Sequence, residues 1–267
     1  MAKAQFVIGN WKMYKTGRQA TDYMEALIPA IEGTGVSVYL AVPFTSIAVA
    51  AQYARGSSIV IGAQNMNDAR EGAFTGEIAS LMLKEAGAAF VLLGHSERRI
   101  HFGEDNALIH KKLLRALKDD IQPILCVGET KEAHAEGRAH EVLQKQLLAA
   151  LQDIPAKEAE KVIIAYEPVW AVGSGKTPTA KEIEGAHSFI RSLLTELLGK
   201  KVGDAIPILY GGSVKPENAS EIAGEKNVDG LLVGGASLDP ETMAQIILNI
   251  GAPKKRGGSR IKKEKKP

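Results

Sequence analysis

The fold class this sequence predicts is α/β, a closed (β/α)8 barrel in a single domain, and three observations carry that expectation. Eight short runs are apolar on both faces, which buried parallel strands require and half-exposed antiparallel strands do not. Longer stretches with helical periodicity separate them. The alternation occupies about 250 residues, the length at which eight strand–helix units close on themselves. With 267 residues and 45% hydrophobic content, the chain can bury a large core. The rival is an open doubly wound sheet. That fold usually carries a glycine-rich dinucleotide fingerprint after its first strand, and Gly9-Asn10-Trp11-Lys12 is not one.

The strands are expected at 5–9, 37–41, 59–63, 90–93, 122–127, 162–166, 206–210 and 230–233. Between them, Ile109, Leu113 and Leu117 form one apolar stripe, and Leu143, Leu147 and Leu151 another. The clearest helix follows the sixth strand. There Ile183, Ala186, Ile190, Leu193, Leu194 and Leu197 recur at three and four residues, and Thr179 with Glu182 makes a capping box. Asp239-Pro240-Glu241 reads as an N-cap followed by proline in the first helical turn, opening the last helix.

Composition excludes several classes. One cysteine, Cys126, allows neither an intrachain disulfide framework nor a cysteine-based zinc cluster. The N-terminal apolar run is too short for a signal peptide, and no segment is long enough to span a bilayer, so a cytoplasmic setting is expected. Net charge is unevenly spread. From Lys254 onward, eight Lys/Arg against Glu264 give +7 and leave the body at −5. Residues 1–252 are therefore taken as the barrel domain and 253–267 as a basic tail expected to be disordered.

In a barrel of this type, function sits at the C-terminal ends of the strands. The first strand ends in Gly9-Asn10-Trp11-Lys12, where a rim lysine can offer charge to an anionic substrate. The third runs into 64–77, a loop well beyond the usual ~2–6 residues. With Met66 and Phe74 among its polar residues, it reads as built to dock against something, such as a second subunit. The fourth ends in Gly94-His95-Ser96-Glu97-Arg98-Arg99, which delivers a histidine to the rim. Ser96 is expected to cap a short helix whose N–H dipoles disfavour the imidazolium and keep His95 neutral.

Cys126 on the fifth strand reads as core packing, since no activating cation follows it. The sixth strand ends in Glu167, fixed in extended backbone by Pro168, and continues into a glycine-rich loop, Val172-Gly173-Ser174-Gly175-Lys176. Such a loop can hinge and present backbone N–H groups to an anion. The seventh and eighth strands end in Tyr210-Gly211-Gly212-Ser213 and Val233-Gly234-Gly235-Ala236, where barrels commonly hold phosphate. Gly173-Ser174-Gly175-Lys176-Thr177 is not a P-loop, because its first glycine would fall on Trp170. His134 and His140 lack metal-ligand spacing.

Together, Asn10-Trp11-Lys12, the 94–99 motif, the 165–176 stretch and the two Gly-Gly turns resemble the triosephosphate isomerase family over about residues 5–251. The resemblance implies a TIM barrel that interconverts dihydroxyacetone phosphate and D-glyceraldehyde 3-phosphate in glycolysis and gluconeogenesis. It implies Glu167 as the base, neutral His95 as the electrophile, and Lys12 with Asn10 at the developing enediolate. Glu97 would pair with Lys12 or orient the site. Burial among apolar neighbours is expected to make Glu167 a stronger base than a carboxylate in water. Gly173, Ser213, Gly234 and Gly235 would cradle the phosphate, and 168–176 would close over it.

No metal or organic cofactor is implied. The 64–77 loop would enter a second subunit of a homodimer, with Thr75 near its tip. Val172 and Ser174 depart conservatively from the family's common isoleucine and threonine. The basic tail has no family counterpart. Two other classes stay open on the sequence alone: a Schiff-base aldolase with Lys12 as nucleophile, and a nucleic-acid or membrane-surface binder acting through the tail. The tail's lack of aromatic residues and of an apolar face limits it to weak, non-specific, salt-sensitive binding.

Overall fold

A computed structural model of the chain describes residues 5–171 and 178–251. Eight parallel strands pair in sequence order: β1 (Phe6–Asn10), β2 (Ser37–Val42), β3 (Ile59–Ala63), β4 (Phe90–Leu93), β5 (Gln122–Val127), β6 (Ile163–Tyr166), β7 (Ile208–Tyr210) and β8 (Gly230–Val233). Pairing of β8 with β1, Gly9 opposite Val233, closes the barrel. The expected strands are all present; β3, β4, β5 and β8 have the expected bounds, and the others differ by one or two residues at an end. The largest shift is at β7, which starts at Ile208 rather than 206. The helix Lys200–Ala205 is capped by Ile206, and Pro207 has no N–H to donate to a ladder.

Period-two alternation along each strand separates two cores. Ile8, Phe90, Leu92, Ile124, Cys126, Ile163, Ala165, Leu209 and Leu232 belong to a cluster built from strands alone, which is the barrel interior. Their strand neighbours, such as Val91, Leu93, Leu125, Val127, Ile164 and Tyr166, belong to the larger cluster shared with the helices. Both leucine stripes face this layer, with Ile109, Leu113, Leu143 and Leu147 fully buried. The capping box of Thr179 and Glu182 opens the helix Ala180–Leu198, and Asp239 accepts from the Thr242 N–H at the last helix.

The Ala180–Leu198 helix differs from its expected stripe in two respects. Leu197 is exposed, whereas His187 and Arg191 are buried on the face toward the barrel. Arg191 is accommodated there by Asp229 at 2.6 Å and the carbonyl of Gly203 at 2.6 Å. Met66 also differs from expectation. It lies fully buried in its own barrel's core, so of the two apolar residues singled out in the 64–77 loop only Phe74, 53% exposed, faces outward. The tail 253–267 lies outside the described residues.

Candidate active site

The inward phase of the strands decides which side chains arrive at the rim. Ile8 points into the barrel, and Asn10 continues its phase. Ile163 and Ala165 point inward, and Glu167 is next in the same series. His95 does not follow from this rule, because odd-numbered residues of β4 face the helices. Gly94, at φ +70°, breaks the phase with a left-handed turn that glycine adopts without strain and that redirects His95 to the mouth.

These residues line one cavity of about 250 Å³ at the C-terminal ends of the strands. Asn10, Lys12, His95 and Glu167 line it together with Gly211 to Lys215 and Gly234 to Ala236. Ser213, Gly234 and Gly235 are thus brought together with the expected catalytic side chains. Gly173, Val172 and Ser174 lie outside the described residues. Glu97 approaches from behind, its Oε1 2.5 Å from Lys12 Nζ.

Lys12 sits in left-handed backbone, φ +52°, an unfavourable conformation for a residue with a side chain. Its N–H donates to Asn10 Oδ1 at 3.0 Å, and its carbonyl accepts from Gln64 Nε2 at 2.8 Å. Gln64 Nε2 also reaches Asn10 Oδ1 and the Ala41 carbonyl, so this one side chain holds the β1 rim loop in place.

His95, not Ser96, is the N-cap of the short helix Ser96–His101. Its Nδ1 accepts from the Glu97 N–H at 3.3 Å, which puts the proton of a neutral ring on Nε2. Nε2 is 2.9 Å from Glu167 Oε1, while Glu167 Oε2 accepts from the Ser96 N–H at 3.0 Å.

This arrangement sets both titrations. Burial alone disfavours the imidazolium, but the facing Glu167 carboxylate and, more weakly, Glu97 prevail and raise the His95 pKa above its ordinary value. The shift depends on the Glu167 contact, because Nδ1 is already occupied as an acceptor. Burial by itself would raise the Glu167 pKa. The charge and hydrogen bond of His95, the Ser96 N–H and Lys12 outweigh it and lower the pKa instead. The stronger base expected from burial is therefore absent in this arrangement, since the carboxylate has two donors in hand.

Glu167 is 2% exposed and tightly packed. Its N–H donates to the Val127 carbonyl at 2.8 Å, and the Gly211 N–H donates to the Tyr166 carbonyl at 2.8 Å. A Cβ at Gly128 would lie 1.8 Å from the Glu167 carbonyl oxygen, and one at Gly211 would lie 3.0 Å from its Cγ. Gln146 holds Gly128 by both its N–H and its carbonyl. Beyond Pro168, Trp170 Nε1 donates to the buried Glu129 at 2.6 Å and stacks on His134 with ring centroids 4.1 Å apart.

Gln64, Gln146, Gly128, Glu129 and Lys215 escape the sequence reading. The position of Gln64 directly after β3, and of Glu129 two residues after β5, is the one signal that points to either. Cys126 is fully buried in the barrel interior, and burial pushes its thiol pKa well up.

The family model described as triosephosphate isomerase matches residues 5–250. Triosephosphate isomerase of Protochlamydia amoebophila (strain UWE25) is 47% identical over 246 residues, covering 92% of this chain and 93% of its own length. The protein of the same name from Carboxydothermus hydrogenoformans is 45% identical, covering 91% and 97%. The crystal structure of triosephosphate isomerase from Bartonella henselae matches with a TM-score of 0.83 at 37% identity, covering 91% of this chain and 97% of its own. A closed eight-stranded barrel, its rim residues and matches of this length lead to one conclusion: the chain belongs to the triosephosphate isomerase family.

Proposed function

We propose that Glu167 moves the proton when this enzyme interconverts dihydroxyacetone phosphate and D-glyceraldehyde 3-phosphate, with His95 and Lys12 stabilising the enediolate between them. The observation that carries this reading is the 2.9 Å approach of His95 Nε2 to Glu167 Oε1 inside a cavity that also holds Lys12 and the glycines after β7 and β8. A carboxylate and a hydrogen-bond donor at that separation can act on neighbouring atoms of one small substrate. Glu167 takes a proton from the carbon beside the carbonyl and returns it to the adjacent carbon, while the hydroxyl proton passes from the one oxygen to the other. His95 Nε2–H donates to the oxygen on which charge develops, and Lys12 adds its positive charge there.

The bonds within the site support a sequence of events. When a substrate oxygen takes the Nε2–H of His95, Glu167 loses the strongest influence lowering its pKa. Release from the Ser96 N–H removes another, and burial then raises its basicity. Asn10 contributes through Lys12, whose backbone it holds. Glu97 orients the ammonium. Ser213, Gly234, Gly235 and Gly173 receive the phosphate, and the 168–176 segment excludes water that would otherwise promote loss of phosphate from the intermediate. The pairing of Lys12 with Glu97 suits a charge donor better than the nucleophile of a Schiff-base aldolase.

A homodimer fits the surface. Met13, Tyr14, Phe44, Phe74, Met82 and Phe102 are exposed beyond four consecutive strands at one end of the barrel, beside the loop that carries Thr75. Sedimentation equilibrium is expected to give twice the 28.5 kDa chain mass. A cytoplasmic setting fits the single buried thiol. Among the described residues, no helix is long and apolar enough to cross a membrane.

Glu167→Gln tests the central role. It keeps the size of the side chain and removes the base, so turnover should fall by about a hundred- to ten-thousand-fold while inorganic phosphate still binds. Near wild-type turnover in that variant would refute the assignment.

A further inference from the structure

Apart from Lys215, the side chains at this cavity, with Glu97 counted as the partner of Lys12, hold more negative than positive charge where an anion must bind. Lys12 is paired with Glu97 at 2.5 Å, and Glu167 is a second carboxylate in the same cavity. Whenever His95 is uncharged, these three side chains carry one excess negative charge. An approaching phosphate therefore meets repulsion unless a further cation stands on the cavity wall.

Among the described residues that line the cavity, the cations are Lys12 and Lys215. Lys215 is exposed and makes no ion pair among the described residues. It stands between Ser213 and the helix Pro216–Ile222. Asn218 fixes the turn from both sides: its Oδ1 accepts from the Lys215 N–H at 2.8 Å, and its Nδ2 donates to the Ser213 carbonyl at 3.1 Å. The backbone of Lys215 is thereby tied to that of Ser213 through Asn218, on the wall of the cavity. The Lys215 side chain, two residues after Ser213, is also distinct from the backbone N–H groups that would cradle the phosphate.

We propose that Lys215 is a specificity-determining cation, whose ammonium draws phosphorylated trioses into the site and favours them over uncharged ones. This rests on the assignment of Ser213, Gly234 and Gly235 to the phosphate cradle. The effect acts on capture and leaves proton transfer alone, because Glu167 and His95 are held by each other, the Ser96 N–H and the Glu97 N–H, with no hydrogen bond or ion pair to Lys215 among the described residues. An exposed charge acts through solvent, so its influence falls as salt shortens the Debye length from about 30 Å at 0.01 M to about 10 Å at 0.1 M.

The test compares wild type with Lys215→Gln, Lys215→Arg and Lys215→Glu across ionic strength. At low salt, kcat/KM for glyceraldehyde 3-phosphate should fall about three- to tenfold in Lys215→Gln, further in Lys215→Glu, and little in Lys215→Arg. The loss should reside in KM and fade at high salt, and unphosphorylated glyceraldehyde should show no loss. Equal kcat/KM at low salt, a deficit that persists at high salt, or an equal deficit with glyceraldehyde would each overturn the inference. Calorimetric titration with inorganic phosphate separates this from the isomerase reading. Weaker phosphate binding by Lys215→Gln in a protein without isomerase activity would support Lys215 and sink the mechanism. Unchanged phosphate binding and kinetics in an active enzyme would sink the inference about Lys215 alone.

Discussion

Acidification should destabilise the fold through one buried histidine outside the active site. His187 is 0% exposed on the helix Ala180–Leu198, edge-on to Tyr166 at a ring distance of 5.7 Å and tilted against Tyr210 at 6.4 Å. Its Nδ1 donates to the Asn227 carbonyl at 3.2 Å, which fixes the tautomer. Nε2 has no hydrogen-bond partner among the described residues. A second proton would create a cation in this packing with nothing to accept from it. Burial accordingly pushes the pKa from 6.5 down to about 4, with the Asn227 carbonyl, Asp229 and Glu184 opposing.

The unfolded chain takes up this proton near its ordinary pKa and the folded chain only near 4, so between those values the unfolded state binds more protons. The stability is complete above about pH 6.5 and is lost as pH falls toward 4. The full loss is about 3 kcal/mol, from a pKa that falls from 6.5 to about 4, at ~1.36 kcal/mol per pH unit. Roughly 2 kcal/mol of it falls between pH 7 and pH 5.

Urea unfolding at fixed protein concentration over that range, in wild type and His187→Gln, isolates the term. A glutamine amide can still donate to the Asn227 carbonyl but does not titrate. The wild-type profile should fall more steeply by about one proton, whereas His95 and Glu167 affect both proteins alike and cancel. Parallel profiles would refute the reasoning, because they would mean that His187 protonates as readily folded as unfolded.

Three further outcomes follow from contacts at the site. Gly211→Ala places a Cβ 3.0 Å from Glu167 Cγ and 3.3 Å from the Tyr166 carbonyl, so kcat should drop about ten- to hundredfold with the melting temperature little changed. An unaltered kcat would show that the base tolerates the push. Glu97→Gln removes the carboxylate 2.5 Å from Lys12 Nζ at constant size; steady-state kinetics should show about a tenfold lower kcat without a raised KM. Cys126, fully buried with its thiol pKa raised, should resist a chromogenic disulfide reagent at pH 8 until guanidinium unfolds the chain. Rapid modification of the native enzyme would contradict its place in the barrel interior.

The barrel was legible because each buried parallel strand must be apolar on both faces, and few other segments of this chain are. The rim was legible to the extent that residues continue the inward phase of a strand, as Asn10 follows Ile8 and Glu167 follows Ala165. His95 owes its direction to the left-handed turn at Gly94, which a residue list does not reveal. Gln64 and Gln146 read as ordinary polar residues. Their work is to bind backbone groups 18 to 52 residues away, and such partners become neighbours only when the barrel closes. Met66 misled for a related reason, since an apolar residue in a polar loop can serve its own core as well as a partner's surface. His187 and Arg191 were hidden within a helix whose apolar stripe is incomplete.

The basicity of Glu167 shows where sequence-level chemistry reaches its limit. Burial was a sound reason to expect a raised pKa, and burial does act in that direction. Yet a buried carboxylate without donors is costly in a resting fold, so the site satisfies it with the Ser96 N–H and the His95 ring. The donor that stabilises the resting carboxylate is the same one that the substrate oxygen requires. Substrate arrival thus removes His95 from Glu167 at the moment the base is needed. A site whose base were permanently unsatisfied would carry that strain in every folded molecule. Here the penalty is confined to the loaded state, where substrate binding can offset it.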